Sequence, residues 1–308
     1  MTDALTRLLT GPRDRFTEEI ASLLQSLAPE PEVAADIGRS VAAFVAATPT
    51  DAWDPFIDGM DERGAEYAAY PPDLAVQGLI DAFLDTLVAT KSTVEGLEHL
   101  DAACARSAAG GRVLLVGNHT SYADATTLTL LLRRAGRADA AGRIAVVAGP
   151  KVFTHPMRRC ASAAMTSIKV AQSSRLAHNK AQLSPREVAR IARRCLQIAA
   201  ELMDNGSIVL LYAEGTRSRD GRLQPFLKAT GRYATLPNTA VLPVAQWGAE
   251  KVMPLGTSTF HRAPVHLRFG PMIKPAQRTR PEALETIHDA IATRLPDAYR
   301  PLEGPQIL

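Results

Sequence analysis

The chain has 308 residues, 46% of them hydrophobic and 22% charged, and a net charge of +3. That length suits a main core with a smaller companion, and the composition is that of a globular protein rather than a disordered or fibrous one. The charge is mild and acids interrupt every basic stretch, which excludes a general nucleic-acid binder.

The first ninety residues read as helical from the spacing of their apolar positions. Phe16, Ile20, Leu23, Leu24 and Leu27 share one face. Val33, Ile37, Val41, Phe44 and Val45 repeat the pattern after Pro29-Glu30-Pro31. A third stripe, Leu74, Leu79, Ile80, Phe83, Leu84, Leu87 and Val88, follows the start signal Pro71-Pro72-Asp73. Short Pro-containing turns between such stripes predict a small helical bundle over residues 1–90.

From about residue 112 the rhythm changes. Strands are predicted at Arg112–Val116, Ile144–Ala148, Ile168–Ala171, Ile208–Tyr212, Ala240–Ala245 and Val265–Phe269. Helices are predicted at Ala123–Arg134, Pro185–Met203 and Pro281–Arg294. The alternation predicts an α/β domain over residues 91–308, built on a mixed, largely parallel sheet flanked by helices. Sites in such sheets gather at the carboxyl ends of strands.

Two blocks sit where a strand run stops. The first is Asn118-His119-Thr120-Ser121-Tyr122-Ala123-Asp124. A hydroxyl is a poor nucleophile near neutrality and needs a base within hydrogen-bond reach. The imidazole of His119 can take and return a proton near pH 7. Asp124 can fix its tautomer and stabilise the imidazolium, with the substrate's own hydroxyl in place of an enzyme serine. Alone, Asp124 would read as a helix cap and His119 as a hydrogen-bonded loop residue. Together, at a strand end, they point to catalysis. Ser121 lies in no GxSxG elbow, and the other histidines lack metal-ligand spacing.

The second block is Glu214-Gly215-Thr216-Arg217-Ser218-Arg219, directly after Tyr212-Ala213. Arg217 and Arg219 can hold a phosphate by charge-assisted bonds. Gly215 permits a tight turn and close backbone approach. Glu214 can pair an arginine or bond a substrate hydroxyl. Lys151, Arg158, Arg159 and Arg175 are further basic residues near strand ends, and Lys169 reads as facing solvent.

Cys104, Cys160 and Cys195 are far apart, odd in number and form no CxxC. That argues against a disulfide framework or a zinc site and for a reducing cytoplasm. Met1–Arg7 does not read as a signal peptide. No apolar run reaches the ~20 residues of a membrane-spanning helix. A lipid substrate would then be met from outside the bilayer, by peripheral membrane contact.

On these blocks the sequence resembles the glycerolipid acyltransferase superfamily. Its NHxxxxD motif is matched by Asn118, His119 and Asp124, and its EGTRS motif by Glu214, Gly215, Thr216, Arg217 and Ser218. A proline-bearing strand is matched by Val241-Leu242-Pro243-Val244. The helical start without spanning segments is most similar to the soluble, plastid-type glycerol-3-phosphate acyltransferases. Ala148–Met157 looks like their second block, and Arg175 falls where that group places a basic residue against the phosphate. The third block here is that of the wider superfamily, and the basic pair expected near Arg175 is reduced to one, with Ser174 beside it.

The resemblance implies acyl transfer from acyl carrier protein or coenzyme A to the sn-1 hydroxyl of glycerol 3-phosphate. His119 and Asp124 would be catalytic. Arg175, Glu214, Gly215, Thr216, Arg217, Ser218 and Arg219 would bind substrate. No metal or tightly bound cofactor is implied, only the acyl thioester as co-substrate. The alternative acceptor, 1-acylglycerol 3-phosphate, is a bilayer lipid, and the absence of an obvious membrane anchor argues against it. A lipid- or carrier-binding module without activity would have no need of the base.

Overall fold

The structure, a computed structural model, describes residues 2–10, 13–171, 184–275 and 278–302. Its strands are β1 (Ala69–Tyr70), β2 (Thr93–Glu95), β3 (Arg112–Gly117), β4 (Ile144–Ala148), β5 (Thr166–Lys169), β6 (Ile208–Tyr212), β7 (Thr239–Trp247) and β8 (His266–Phe269). They form one sheet in the order β1-β5-β4-β6-β3-β7-β8-β2. The five pairs β5/β4, β4/β6, β6/β3, β3/β7 and β8/β2 are parallel, whereas β1/β5 and β7/β8 are antiparallel.

The longer helices are α1 (Thr2–Thr10), α2 (Arg13–Gln25), α3 (Pro31–Ala47), α4 (Leu74–Leu87), α5 (Leu97–Ala108), α6 (Asp124–Arg134), α7 (Pro185–Asp204) and α8 (Arg280–Ala292). Their starts carry the expected chemistry. Asp73 accepts the Val76 N–H at the head of α4. Reciprocal capping boxes, Ser184 with Glu187 and Thr279 with Glu282, open α7 and α8.

Period-two alternation along β3 sorts the layers. Val113 and Leu115 share a cluster with Phe16 of α2, Ile37 of α3, and Phe83 and Leu84 of α4. Leu114 and Val116 face the other way, onto Ile198 and Met203 of α7 and Leu284 and Ile291 of α8. The N-terminal helices therefore do not close on a core of their own. Their stripes and one face of the sheet make a single cluster, and β1, from within the first ninety residues, pairs with β5.

The long strands lie where their apolar runs predict. β5 begins two residues early, because pairing with β4 starts at Thr166 opposite Ala145 and a polar residue hides that start. β1 and β2 sit at the two edges of the sheet and are too short to show a period. Among the described residues, no helix is long and apolar enough to cross a membrane.

Candidate active site

The carboxyl ends of β3 and β6 are neighbours, since Gly117 pairs with Tyr212. The two motif blocks, ninety residues apart in sequence, therefore emerge side by side. Asn118 fixes the exit of the first. Its side-chain Nδ2 donates to the Gln246 carbonyl at 2.8 Å, and its Oδ1 accepts the Gln246 N–H at 2.9 Å. The amide thus extends the β3/β7 ladder by one residue with a side chain.

The next residues fold back over the start of α6. Asp124 Oδ2 accepts His119 Nδ1 at 2.8 Å and the backbone N–H groups of Thr120 at 2.7 Å and Ser121 at 2.9 Å. Its Oδ1 accepts the Thr120 hydroxyl at 3.0 Å. The Asp124 side chain is fully buried, whereas that of His119 is 17% exposed. With the Nδ1 proton given to Asp124, Nε2 carries the lone pair. This tautomer follows from the hydrogen-bond network. Nε2 has no hydrogen bond among the described residues and its ring lines the cleft. The ring stacks on Tyr212 at 4.5 Å and 16°. Burial drives the Tyr212 phenol well above its ordinary range, and the charge of Asp124 adds to that, so the stacking partner stays neutral. Ser121 is fully buried and its hydroxyl donates to the Met253 carbonyl at 3.0 Å, which leaves it no nucleophilic role.

The second block performs two jobs. Gly215 takes the left-handed backbone (φ +69) that closes the turn, its N–H donating to the Tyr212 carbonyl at 3.0 Å. Glu214 turns inward and is only 2% exposed. Its Oε1 accepts the His119 N–H at 2.8 Å and its Oε2 the Gln224 N–H at 3.2 Å. Burial pushes this carboxyl well above the usual carboxylate range, although the two N–H bonds pull the other way. Both its oxygens are spent on the protein backbone, so Glu214 clamps the first block rather than facing a ligand. Ser218 is likewise buried. Its N–H donates to the His119 carbonyl at 2.7 Å and its hydroxyl to Asp220 at 2.8 Å. Thr216 and Arg219 are exposed and line the cleft with Gly215 and Arg217.

Arg217 lines the same cleft as His119. Its guanidinium lies 3.7 Å from the centre of the Tyr122 ring, and Arg158 lies 4.4 Å from the same ring. Burial, and the Arg158 charge behind it, draw the Arg217 pKa down, against the pull of Tyr122. An arginine nonetheless remains protonated. Among the described residues neither Arg158 nor Arg217 has a carboxylate at ion-pair distance, whereas Arg159 meets Asp61 at 3.9 Å. Lys169 does not face solvent as a free charge; it donates to the Gly64 carbonyl at 2.5 Å. Arg175 lies outside the described residues.

His119, Tyr122, Arg158, Arg217 and Arg219 border one cleft of about 560 Å³. One end is apolar, walled by Leu24, Ile80, Phe83, Leu84, Met165 and Phe260. The other passes between α7 and residues 227–233. Sequence reasoning named Arg158 without assigning it and passed over Tyr122. An aromatic between the histidine and aspartate of the first block, among small residues, was the available signal.

A histidine held by a buried carboxylate, two cations on one tyrosine ring and an apolar recess thus meet at one cleft. The Acyltransferase family matches residues 91–247, just over half of the chain, and the chain belongs to that family. It is 28% identical over 170 residues to a chloroplastic 1-acyl-sn-glycerol-3-phosphate acyltransferase of Brassica napus, covering 54% of this chain and 40% of that one. A counterpart in Arabidopsis thaliana is 28% identical over 167 residues, covering 54% and 39%. The chain thus spans about two fifths of the length of these relatives. The crystal structure of the 1-acyl-sn-glycerophosphate acyltransferase from Thermotoga maritima is similar at 18% identity and a TM-score of 0.47, over 90% of this chain and 97% of that one.

These relatives overturn the expectation of glycerol 3-phosphate as acceptor, since they are named for its 1-acyl form. The error has a physical root. The lack of an obvious membrane anchor argues against a bilayer acceptor only where a spanning helix is needed, and a lipid can be reached from the surface without one. The EGTRS block, that of the wider superfamily, was the better guide.

Proposed function

We propose that the chain transfers a fatty acyl group from a thioester to the hydroxyl of 1-acylglycerol 3-phosphate. The observation that carries this reading is one cleft holding the His119–Asp124 pair, two cations on Tyr122 and an apolar recess. The names of its relatives support the acceptor. Arg158 and Arg217, aided by Arg219, hold the acceptor phosphate and set its hydroxyl against His119 Nε2. Binding energy gained on the phosphate is thereby converted into orientation at the reacting atom.

As the oxygen attacks the thioester carbonyl, Nε2 takes its proton and Asp124 steadies the imidazolium. The tetrahedral adduct collapses, the C–S bond breaks, and the proton on Nε2 returns to the departing thiolate. The product is a diacylglycerol phosphate and a free thiol. Glu214, Ser218 and Gly215 hold the loop that aims His119.

The test is acyl transfer by purified protein with a palmitoyl thioester. The acceptors are 1-acylglycerol 3-phosphate in mixed micelles, glycerol 3-phosphate, and water alone. Product from the 1-acyl acceptor that disappears in His119→Ala is the expected result. Thioester loss with no acceptor requirement would make the protein a hydrolase.

A further inference from the structure

The cleft has a second arm. It crosses the carboxyl ends of β4 and β6, from the face covered by α2 and α4 to the face covered by α7. The first arm is the apolar recess. The second is walled by Ala192, Cys195 and Leu196 of α7 and by Leu227 and Tyr233 opposite. Its outer end, at Ala229 and Arg232, is shared with an adjoining hollow of about 350 Å³ lined by Lys228, Arg232, Arg280 and Leu284.

Lys228, Arg232 and Arg280 are exposed, and among the described residues none of them has an ion-pair partner. Some other surface arginines do: Arg112 meets Asp204, Arg137 meets Asp101 and Arg268 meets Glu95, each at 2.7 Å. Three uncompensated cations around one hollow make a local anion-attracting field. They are different residues from Arg158 and Arg217, so the molecule presents two separate groups of cations joined by one cleft.

A thioester reacting at His119 has two substituents. The acyl chain hangs from the carbonyl and the pantetheine arm from the sulfur. One chain suits the apolar arm of the cleft, and the slender, largely uncharged pantetheine suits the other. In coenzyme A and in a carrier protein alike, the far end of the pantetheine bears a phosphate. We propose that Lys228, Arg232 and Arg280 bind that phosphate and so dock the acyl donor. This rests on the acyl-transfer reading. The shared ligand chemistry is phosphorylated pantetheine, whether it comes as coenzyme A or as the phosphodiester of a carrier protein.

The experiment uses the full chain and a Lys228→Gln/Arg280→Gln double variant. Both residues border only the outer hollow, and glutamine keeps most of each side chain's length. Palmitoyl-coenzyme A, palmitoyl carrier protein and palmitoyl-pantetheine lacking phosphate serve as donors. Calorimetry measures binding of coenzyme A and of free phosphopantetheine.

The expected result is a KM raised about tenfold or more for a phosphate-bearing donor, the loss of one or two charged contacts. The phosphate-free donor and the acceptor KM should change less than about twofold, and coenzyme A or phosphopantetheine should bind correspondingly more weakly. Whether the coenzyme A donor, the carrier donor or both respond identifies the source. An unchanged donor KM, or an equal loss with the phosphate-free donor, overturns the site. Should the unmodified protein transfer no acyl group, the functional reading fails. The calorimetry then still decides the site: binding that weakens in the double variant upholds it, and binding that is absent or unaltered overturns it.

Discussion

Glu214 grips His119 by its backbone: Oε1 accepts the His119 N–H at 2.8 Å, while the His119 carbonyl accepts the N–H of Ser218 at 2.7 Å. The two motif blocks are thus locked to each other through the main chain of the base itself. Placement of the imidazole depends on a carboxyl that touches neither the ring nor the cleft.

Replacing Glu214 by Gln leaves an amide NH₂ against one of two backbone N–H groups. The unpaired donor should cost about 1–3 kcal/mol of stability. A shifted His119 should lower kcat about 10- to 100-fold. The stability gap should also depend on pH. Burial raises the Glu214 pKa above its ordinary 4.5, so its neutral form belongs to the fold. Its contribution is complete below pH 4.5 and is lost as pH climbs through the raised folded value. Glutamine does not titrate, so the gap between the two proteins should narrow as pH rises above 4.5. Denaturant midpoints at pH 5 and pH 8 measure this, and a gap that widens would remove burial as the dominant influence.

Asp124 presents a different balance, because one carboxylate serves four donors. In Asp124→Asn the amide oxygen can keep the Oδ2 place and its three N–H donors while the NH₂ turns to the Thr120 hydroxyl, or the two can exchange places. The first outcome removes the charge that steadies an imidazolium, and the second sets an NH₂ against His119 Nδ1 and inverts the tautomer. The expected loss in kcat is about 10²–10⁴-fold, near that of His119→Ala. Acceptor KM should move little, as Arg158 and Arg217 are untouched. A rate within threefold of the parent would reduce Asp124 to a turn-forming residue.

How much of this could be read from the chain varies with the physics involved. β3, β4 and β6 are buried on both faces, and such strands write themselves as apolar runs. β1 and β2 are edge strands of two and three residues, formed because a neighbour offers its edge, and nothing local marks them. The stripes of α2, α3 and α4 were legible as helical faces, but not what they face. Only packing reveals that Phe16 and Leu115 share one core. His119 and Asp124 were legible because they are five residues apart in one turn. Glu214 was legible as a motif residue, yet its inward turn was not, since its partners are backbone groups that any sequence possesses. Arg158 reaches Tyr122 only through the fold, across β4 and the segment that follows it.

On the proposed reaction, the apolar arm makes chain length a geometric matter. Ile80 of α4 lies half-buried on its wall, beside Phe83 and Leu84. Ile80→Trp should fill part of the recess and exclude the terminal carbons of a long acyl group. Each methylene kept in water costs about 0.8 kcal/mol, or about fourfold in kcat/KM. Stearoyl transfer should therefore fall much further than decanoyl transfer. A uniform loss across chain lengths would place the acyl group elsewhere.

Tyr122 lies within 3.7 Å of one guanidinium and 4.4 Å of another. Two like charges brought together repel, and a carboxylate between them would cancel the field that an incoming phosphate needs. An aromatic face attracts both cations without neutralising either. On the proposed acceptor site, Tyr122 is thus a positioning residue for the phosphate. Tyr122→Phe keeps the ring and should hold the acceptor KM within about twofold. Tyr122→Leu removes it and should raise that KM about 5- to 30-fold, the equivalent of about 1–2 kcal/mol of cation–π attraction. The donor KM and kcat should stay near the parent values, which a general loss of folding would not allow. Steady-state kinetics of the three proteins against acceptor concentration decide the matter. If phenylalanine loses as much as leucine, the hydroxyl rather than the ring is what holds Arg217.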